Sequence, residues 1–210
     1  MSLNKDGVII ILSSPSGAGK TTLVKKISAI KNFKISISYT TRIPRKNETN
    51  GKDYFFIKSE EFETLIKKNE LLEYARVFNN LYGSSKKKVF DMLSNGENVI
   101  FDIDWQGTKQ IKEKSLNFRL LTFFILPPSK ETLLSRLSER ENNDNSVISE
   151  RMKSFNNDIM HWEDYDHVVV NDSLEMCLNK ILKIIDLELK GQSIETDREK
   201  VKKHIDKLIS

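Results

Sequence analysis

Apolar and polar positions alternate in blocks along this 210-residue chain, and the blocks predict strands separated by helices. Val8-Ile9-Ile10-Ile11-Leu12 is a continuous apolar run, the signature of a strand buried on both faces. A helical pattern follows at about 20–30. Asn98 to Ile103 and Arg119 to Leu126 read as two further buried strands, the latter stopped by Pro127-Pro128. Helices are expected near 107–114 and from Ser129, a suitable cap, to 139. Val168-Val169-Val170 reads as a last short strand before a helix at about 173–190. Strands that alternate with helices predict an α/β fold, a parallel sheet with helices on both faces.

The middle of the chain breaks that rhythm. Lys34 to Tyr39, Tyr54 to Ile57 and Leu72 to Phe78 are short β-like runs. Helices are expected only at about 59–68, starting at Ser59, and at 84–94, ending at Asn95-Gly96. The expected division is therefore a core of residues 1–33 and 95–190 with an inserted mixed α/β subdomain at 34–94. The polar stretch Arg140 to Ser146 lacks an apolar period and suits a lid at about 137–155. Val201, Ile205 and Leu208 mark an amphipathic helix within 191–210.

Composition narrows the class. Hydrophobic residues are 38% and charged residues 30%, the balance of a soluble globular protein. The net charge of +4 suits polyanionic small molecules and does not call for nucleic acid. Cys177 is the single cysteine, so no intrachain disulfide forms. Residues 1–6 lack a signal-peptide core and no apolar run has membrane-span length, so a cytoplasmic protein without a membrane partner is expected. His161, His167 and His204 have no metal-ligand spacing.

Candidate chemistry begins where the first strand ends. Ser13-Ser14-Pro15-Ser16-Gly17-Ala18-Gly19-Lys20-Thr21-Thr22 reads as a phosphate-binding loop. Backbone N–H groups at the helix start face outward and the helix dipole adds partial positive charge. Gly17 and Gly19 let the backbone wrap a phosphate, Lys20 reaches outer phosphates, and the Thr21 hydroxyl suits Mg2+. Ser14 stands where G-x-x-x-x-G-K-[ST] has its first glycine. Such a loop implies a bound nucleoside triphosphate and leaves the phosphate acceptor open. Arg42 and Arg45, three apart around Pro44, are suited to bidentate phosphate contact, although a surface turn has the same composition.

Further along stand Asn50-Gly51-Lys52-Asp53-Tyr54, Leu72-Glu73-Tyr74, Tyr82-Gly83-Ser84, Asp102-Ile103-Asp104-Trp105-Gln106-Gly107 and Pro127-Pro128-Ser129. In this order, with the loop and Ser38 to Arg45, they resemble the guanylate kinase family from about residue 8 to 188. The resemblance implies a kinase that moves the γ-phosphate of ATP onto GMP and dGMP, with Mg2+ accompanying ATP. It implies that Arg42, Arg45, Tyr54 and Tyr82 hold the GMP phosphate, and that Ser38, Glu73, Ser84 and Asp104 line the guanine pocket. A carboxylate at Glu73 accepts from guanine N1–H and its 2-amino group, which adenine lacks. The resemblance also assigns Lys20, Arg136, Arg140 and Arg151 to the transferring phosphates, Asn171 to the ATP side, and Asp102 with Thr21 to the metal.

Read alone, Glu73 is an exposed strand residue, Asp102 a solvated strand end, and Arg136 with Arg140 a helical surface pair. Two other classes compete: a guanylate-kinase-like peptide-binding module without catalysis, and a phosphate-loop kinase with another acceptor. Lys20, Thr21 and the lid arginines argue against the first, and Glu73 with Ser38 and Ser84 against the second. Whether the chain is a monomer or a homo-oligomer is left open.

Overall fold

The computed structural model describes residues 6–140 and 143–210. Two sheets carry the architecture. The first runs β2(Lys34–Ile35), β7(Val99–Asp102), β1(Ile9–Ser13), β8(Leu120–Leu126), β9(His167–Val170). The β2–β7 and β8–β9 pairs are parallel. Every residue of β1 is buried, as its unbroken apolar run requires. Helix α1(Lys20–Lys31) follows β1, α4(Trp105–Glu113) follows β7, α5(Lys130–Arg140) follows β8 and α7(Leu174–Leu189) follows β9. That alternation is the α/β pattern the sequence predicts.

The second sheet has the order β4(Phe55–Phe56), β3(Tyr39–Thr40), β6(Asn80–Ser85), β5(Leu71–Val77). Strands β3 and β4 are parallel, whereas β6 is antiparallel to both β3 and β5. Helices α2(Ser59–Lys67) and α3(Lys86–Ser94) accompany it. The β5–β6 hairpin turns on Phe78 and Asn79, with φ of 45° and 63°. Two central residues of positive φ match the right-handed twist of the flanking strands. The register shifts between Leu71 and Glu73, and this bulge places Glu73 opposite Ser84 on the buried face.

The chain divides into two compact units. One takes in the chain up to Ile11 together with Asn32–Leu121, and the other Leu12–Lys31 with Thr122–Ser210. The first has a core of Ile9, Ile11, Leu72, Val89, Leu93, Val99, Phe101, Ile103 and Ile111. The second buries Phe124, Leu126, Leu133, Leu137, Phe155, Ile159 and Tyr165. Val201, Ile205 and Leu208 of α8(Arg198–Ile209) belong to that second core, so the amphipathic stripe packs within the chain.

Three local readings change. The run from Lys34 to Tyr39 splits: Lys34 pairs with Val99 in the first sheet and Tyr39 with Gly83 in the second. Residues 84 and 85 end a strand, and the expected helix there begins at Lys86 behind its cap Ser85. Helix α2 starts at Ser59 as expected, behind Lys58, which makes no side-chain cap bond. The polar stretch leads into α6(Asn145–Ile159), capped by Asp144 and continued by a 3-10 turn over Met160–Asp164. Residues 141 and 142 of the expected lid, and residues 1–5, lie outside the described residues.

Candidate active site

The candidate residues fall into two groups, one in each compact unit. The first is the phosphate loop with its surroundings. Gly17 and Gly19 have φ of 88° and 93°, a left-handed conformation that glycine adopts without strain. A Cβ on Gly19 would lie 2.4 Å from Asn171 Nδ2, so the loop and Asn171 are in close contact. Ala18 is fully buried, whereas Thr21 and Thr22 are exposed in the first turn of α1. The Ser14 hydroxyl donates to the Pro15 carbonyl at 2.8 Å, a local bond that a glycine there would lack.

Asn171, buried directly after β9, donates from Nδ2 to the Ala18 carbonyl at 2.8 Å. The backbone carbonyl of Asn171 accepts from Arg136 Nη2 at 3.3 Å. Arg151 of α6 donates from Nη1 to the Ser16 hydroxyl at 2.5 Å. The structure thus brings Arg136, Arg151 and Asn171 to the loop. Arg140 lies exposed at the end of α5, one turn beyond Arg136. Arg136 Nη1 and Asn171 Oδ1 are buried without a hydrogen-bond partner among the described residues. A buried guanidinium N–H with no acceptor is costly, so this geometry suits an anion at the loop.

The second group lies on the four-stranded sheet and α4. Ser84 is completely buried and donates to Glu73 Oε1 at 2.6 Å; its oxygen is 3.4 Å from that of Ser38. Glu73 is 3% exposed, a degree of burial that a carboxylate tolerates only with partners. A Cβ on Gly107 would lie 2.4 Å from Glu73 Oε2, so α4 approaches the carboxylate where it has no side chain. Asp104 caps α4, accepting from the Gly107 N–H at 3.0 Å, and its other oxygen accepts from Gln106 Nε2. Asp102 ends β7, half-exposed.

Beside this polar group stand the arginines. Arg42 Nε donates to the Tyr82 hydroxyl at 3.2 Å, and its guanidinium lies 5.4 Å from the Tyr54 ring centre. Tyr54 and Tyr82 meet edge to face with ring centres 5.9 Å apart. Burial, and then the charge of Asp102, push the Tyr54 phenol up, so it stays a neutral donor. Both Arg42 and Arg45 reach Glu48, at 2.8 and 3.4 Å. Burial pulls the Arg42 pKa down, but hydrogen bonding to Glu48 and the charges of Tyr82 and Glu48 outweigh it and raise the pKa. Burial pushes Glu48 up, but the bonds from Arg42 and the Arg45 backbone hold it below the ordinary carboxylate value.

Sequence reasoning missed two residues here. Glu48 passes for part of the sequon Asn47-Glu48-Thr49, and only its spacing from two arginines could have marked it. Gln110 passes for a helix-surface residue, yet its amide pairs with the Tyr74 backbone N–H and carbonyl at 3.1 and 2.6 Å, clipping α4 to β5 beside Glu73. Cys177 is buried, and burial with the charge of Asp172 pushes its thiol up to about 12, so it is not a nucleophile at neutral pH.

A glycine-bearing loop between a buried strand and a helix, lined by arginines, defines a phosphate-loop α/β protein of the nucleotide-binding class. The family model for guanylate kinase matches residues 7–188. The chain is 47% identical over 186 residues to the guanylate kinase of Rickettsia prowazekii, covering 88% of this chain and 93% of the relative. It is 44% identical to that of Buchnera aphidicola subsp. Acyrthosiphon pisum, covering 87% and 89%. A crystal structure of guanylate kinase from Anaplasma phagocytophilum superposes with a TM-score of 0.73 at 37% identity, over 88% of this chain and 87% of that one. The chain belongs to the guanylate kinase family.

Proposed function

We propose that this protein transfers the γ-phosphoryl group of ATP to GMP, and to dGMP, giving GDP or dGDP and ADP. The observation that carries the acceptor is Glu73, a buried carboxylate bonded to Ser84 beside Ser38. Guanine presents N1–H and the 2-amino group side by side to such a carboxylate. Adenine presents neither, so the buried carboxylate forgoes both of those bonds, which rejects it strongly. The hydroxyls of Ser38 and Ser84 and the carboxylate of Asp104 complete the guanine contacts. Arg42, Arg45, Tyr54 and Tyr82 hold the acceptor phosphate, and Tyr54 does so as a neutral donor.

On the donor side, the loop from Ser13 to Thr22 receives the triphosphate. Its backbone N–H groups and Lys20 offset the charge of the phosphates. Arg136, Arg140 and Arg151 stabilise the charge on the transferring group, and Arg136 Nη1 gains the acceptor it lacks among the described residues. Asn171 belongs to the ATP side through its contact with the loop. An oxygen of the GMP phosphate attacks the γ-phosphorus in line as the bond to the ADP oxygen breaks, and no covalent enzyme intermediate is needed.

The Thr21 hydroxyl and Asp102 carboxylate are hard oxygen donors and fit Mg2+, which takes few protein ligands alongside phosphates and water. When bound, Mg2+ neutralises phosphate charge. Residues 137–155 act as the lid and 34–94 as the GMP-binding subdomain. No described helix is long and apolar enough to cross a membrane, and we place the protein in the cytoplasm. A coupled assay with ATP and each nucleoside monophosphate tests the reading: turnover of GMP and dGMP is expected, and equal or faster turnover of AMP, CMP or UMP contradicts it.

A further inference from the structure

We propose that Glu48 is a positioning residue of the acceptor-phosphate site, holding Arg42 and Arg45 side by side so that their remaining donors meet one anion. This inference rests on the reading that those two arginines hold the phosphate of GMP.

The geometry is specific. Arg42 Nη2 donates to Glu48 Oε1 and Oε2 at 2.8 and 2.9 Å. Glu48 Oε2 also accepts from the Arg45 backbone N–H at 2.8 Å, and Oε1 lies 3.4 Å from Arg45 Nη1. The Glu48 backbone N–H closes the turn by donating to the Arg45 carbonyl at 3.0 Å. One carboxylate therefore shapes the turn and orients both guanidinium groups. The side chains of Arg42 and Glu48 are 13% and 17% exposed, so water screens the pair weakly.

Donor accounting points the same way. Nε of Arg42 is taken by Tyr82 and one Nη1 hydrogen by the Ile43 carbonyl, and Nη2 serves Glu48. A guanidinium has five N–H donors. The second Nη1 hydrogen of Arg42 is thus aimed by four bonds that its own surroundings supply. A long side chain fixed before binding loses less freedom when an anion arrives.

The two physical roles open to Glu48 predict opposite signs. A carboxylate next to a phosphate site repels the phosphate, so electrostatics alone predicts that removing it tightens GMP. Positioning predicts that removing it weakens GMP although the site becomes more positive.

Titration calorimetry of wild type, Glu48→Ala, Glu48→Gln and Arg42→Ala, with GMP, guanosine and ATP as ligands, decides between them. Glu48→Ala is expected to lose about tenfold or more in GMP affinity, one hydrogen-bonded charge contact or more. Guanosine and ATP affinities should stay within about twofold, below the worth of one such contact. Glu48→Gln, which keeps one acceptor oxygen, should fall between wild type and Glu48→Ala. Unchanged or tighter GMP binding by Glu48→Ala overturns the inference. An equal loss for guanosine or ATP overturns it too, because the change is then merely structural. If Arg42→Ala weakens GMP but Glu48→Ala does not, only the role of Glu48 fails. If Arg42→Ala leaves GMP binding intact, the phosphate reading itself fails and this inference with it.

Discussion

Ser84 and Glu73 face each other across the β5–β6 hairpin, and the serine hydroxyl donates to the buried carboxylate at 2.6 Å. The bulge at Leu71/Glu73 produces this pairing by turning Glu73 to the covered face. A carboxylate so placed is held as an acceptor for a cationic or N–H-rich edge. In the proposed pose, Glu73→Gln replaces one acceptor oxygen by a donor set against guanine N–H groups. It should weaken GMP by about 2–3 kcal/mol, roughly 30–150-fold, the worth of a charge-assisted pair left unmade. ATP affinity should be unchanged. Calorimetric titration of both nucleotides checks this.

Gly107 is tested by adding one methyl group. Alanine in a helix is favoured over glycine by about 1 kcal/mol, so the fold should not suffer from propensity. The new Cβ would fall 2.4 Å from Glu73 Oε2, the far end of a side chain, and the carboxylate has to move. Gly107→Ala should therefore keep its unfolding midpoint within a few degrees and raise KM for GMP about tenfold or more, leaving KM for ATP near wild type. Steady-state kinetics and a thermal melt read the two effects separately.

The amide of Asn171 ties β9 to the phosphate loop through the Ala18 carbonyl. Asn171→Ala removes that donor from a buried carbonyl, at a cost of about 1–3 kcal/mol. The loss should appear as a rise in KM for ATP of about tenfold, with GMP binding unchanged. A variant that affects both nucleotides equally would show that Asn171 supports the whole fold rather than the loop.

The ion pair of Arg42 and Glu48 makes a pH prediction. Glu48 is held below its ordinary value of 4.5 in the folded protein. A carboxyl depressed on folding contributes stability that is present above its unfolded pKa and lost as pH falls through the folded one. The stability gap between wild type and Glu48→Gln should thus be constant near neutrality. It should shrink as pH drops below about 4.5. Denaturant unfolding at a series of pH values measures it.

Much of this was legible in the residues. The four apolar runs that became β1, β7, β8 and β9, and the helical period of α7, needed no tertiary information, because each pattern matches one period. The motif residues at the loop, Arg42, Glu73 and Asp104 were legible as positions, and the structure gives them partners. What escaped depends on contacts distant in sequence or on unusual turns. Strand β6 was hidden because Phe78 at positive φ is a rare turn residue. Lys34-Ile35 pairs with Val99-Ile100, more than sixty residues away, and no local signal separates it from Tyr39. Helix α6 was hidden by the polar composition of its first turn, although Asp144 is a good cap. Glu48 was hidden because a lone acid near two arginines is ordinary until their distances are known.

The destination of the phosphoryl group separates this acceptor from every other. ATP carrying an isotopic label in its γ-phosphate, incubated with the protein, Mg2+ and an equimolar mixture of GMP and AMP, tests it most directly. Label is expected in the β-phosphate of GDP, with negligible label in ADP formed from AMP and little in inorganic phosphate. Label passing preferentially to AMP, or released to water at the same rate with and without GMP, would contradict it.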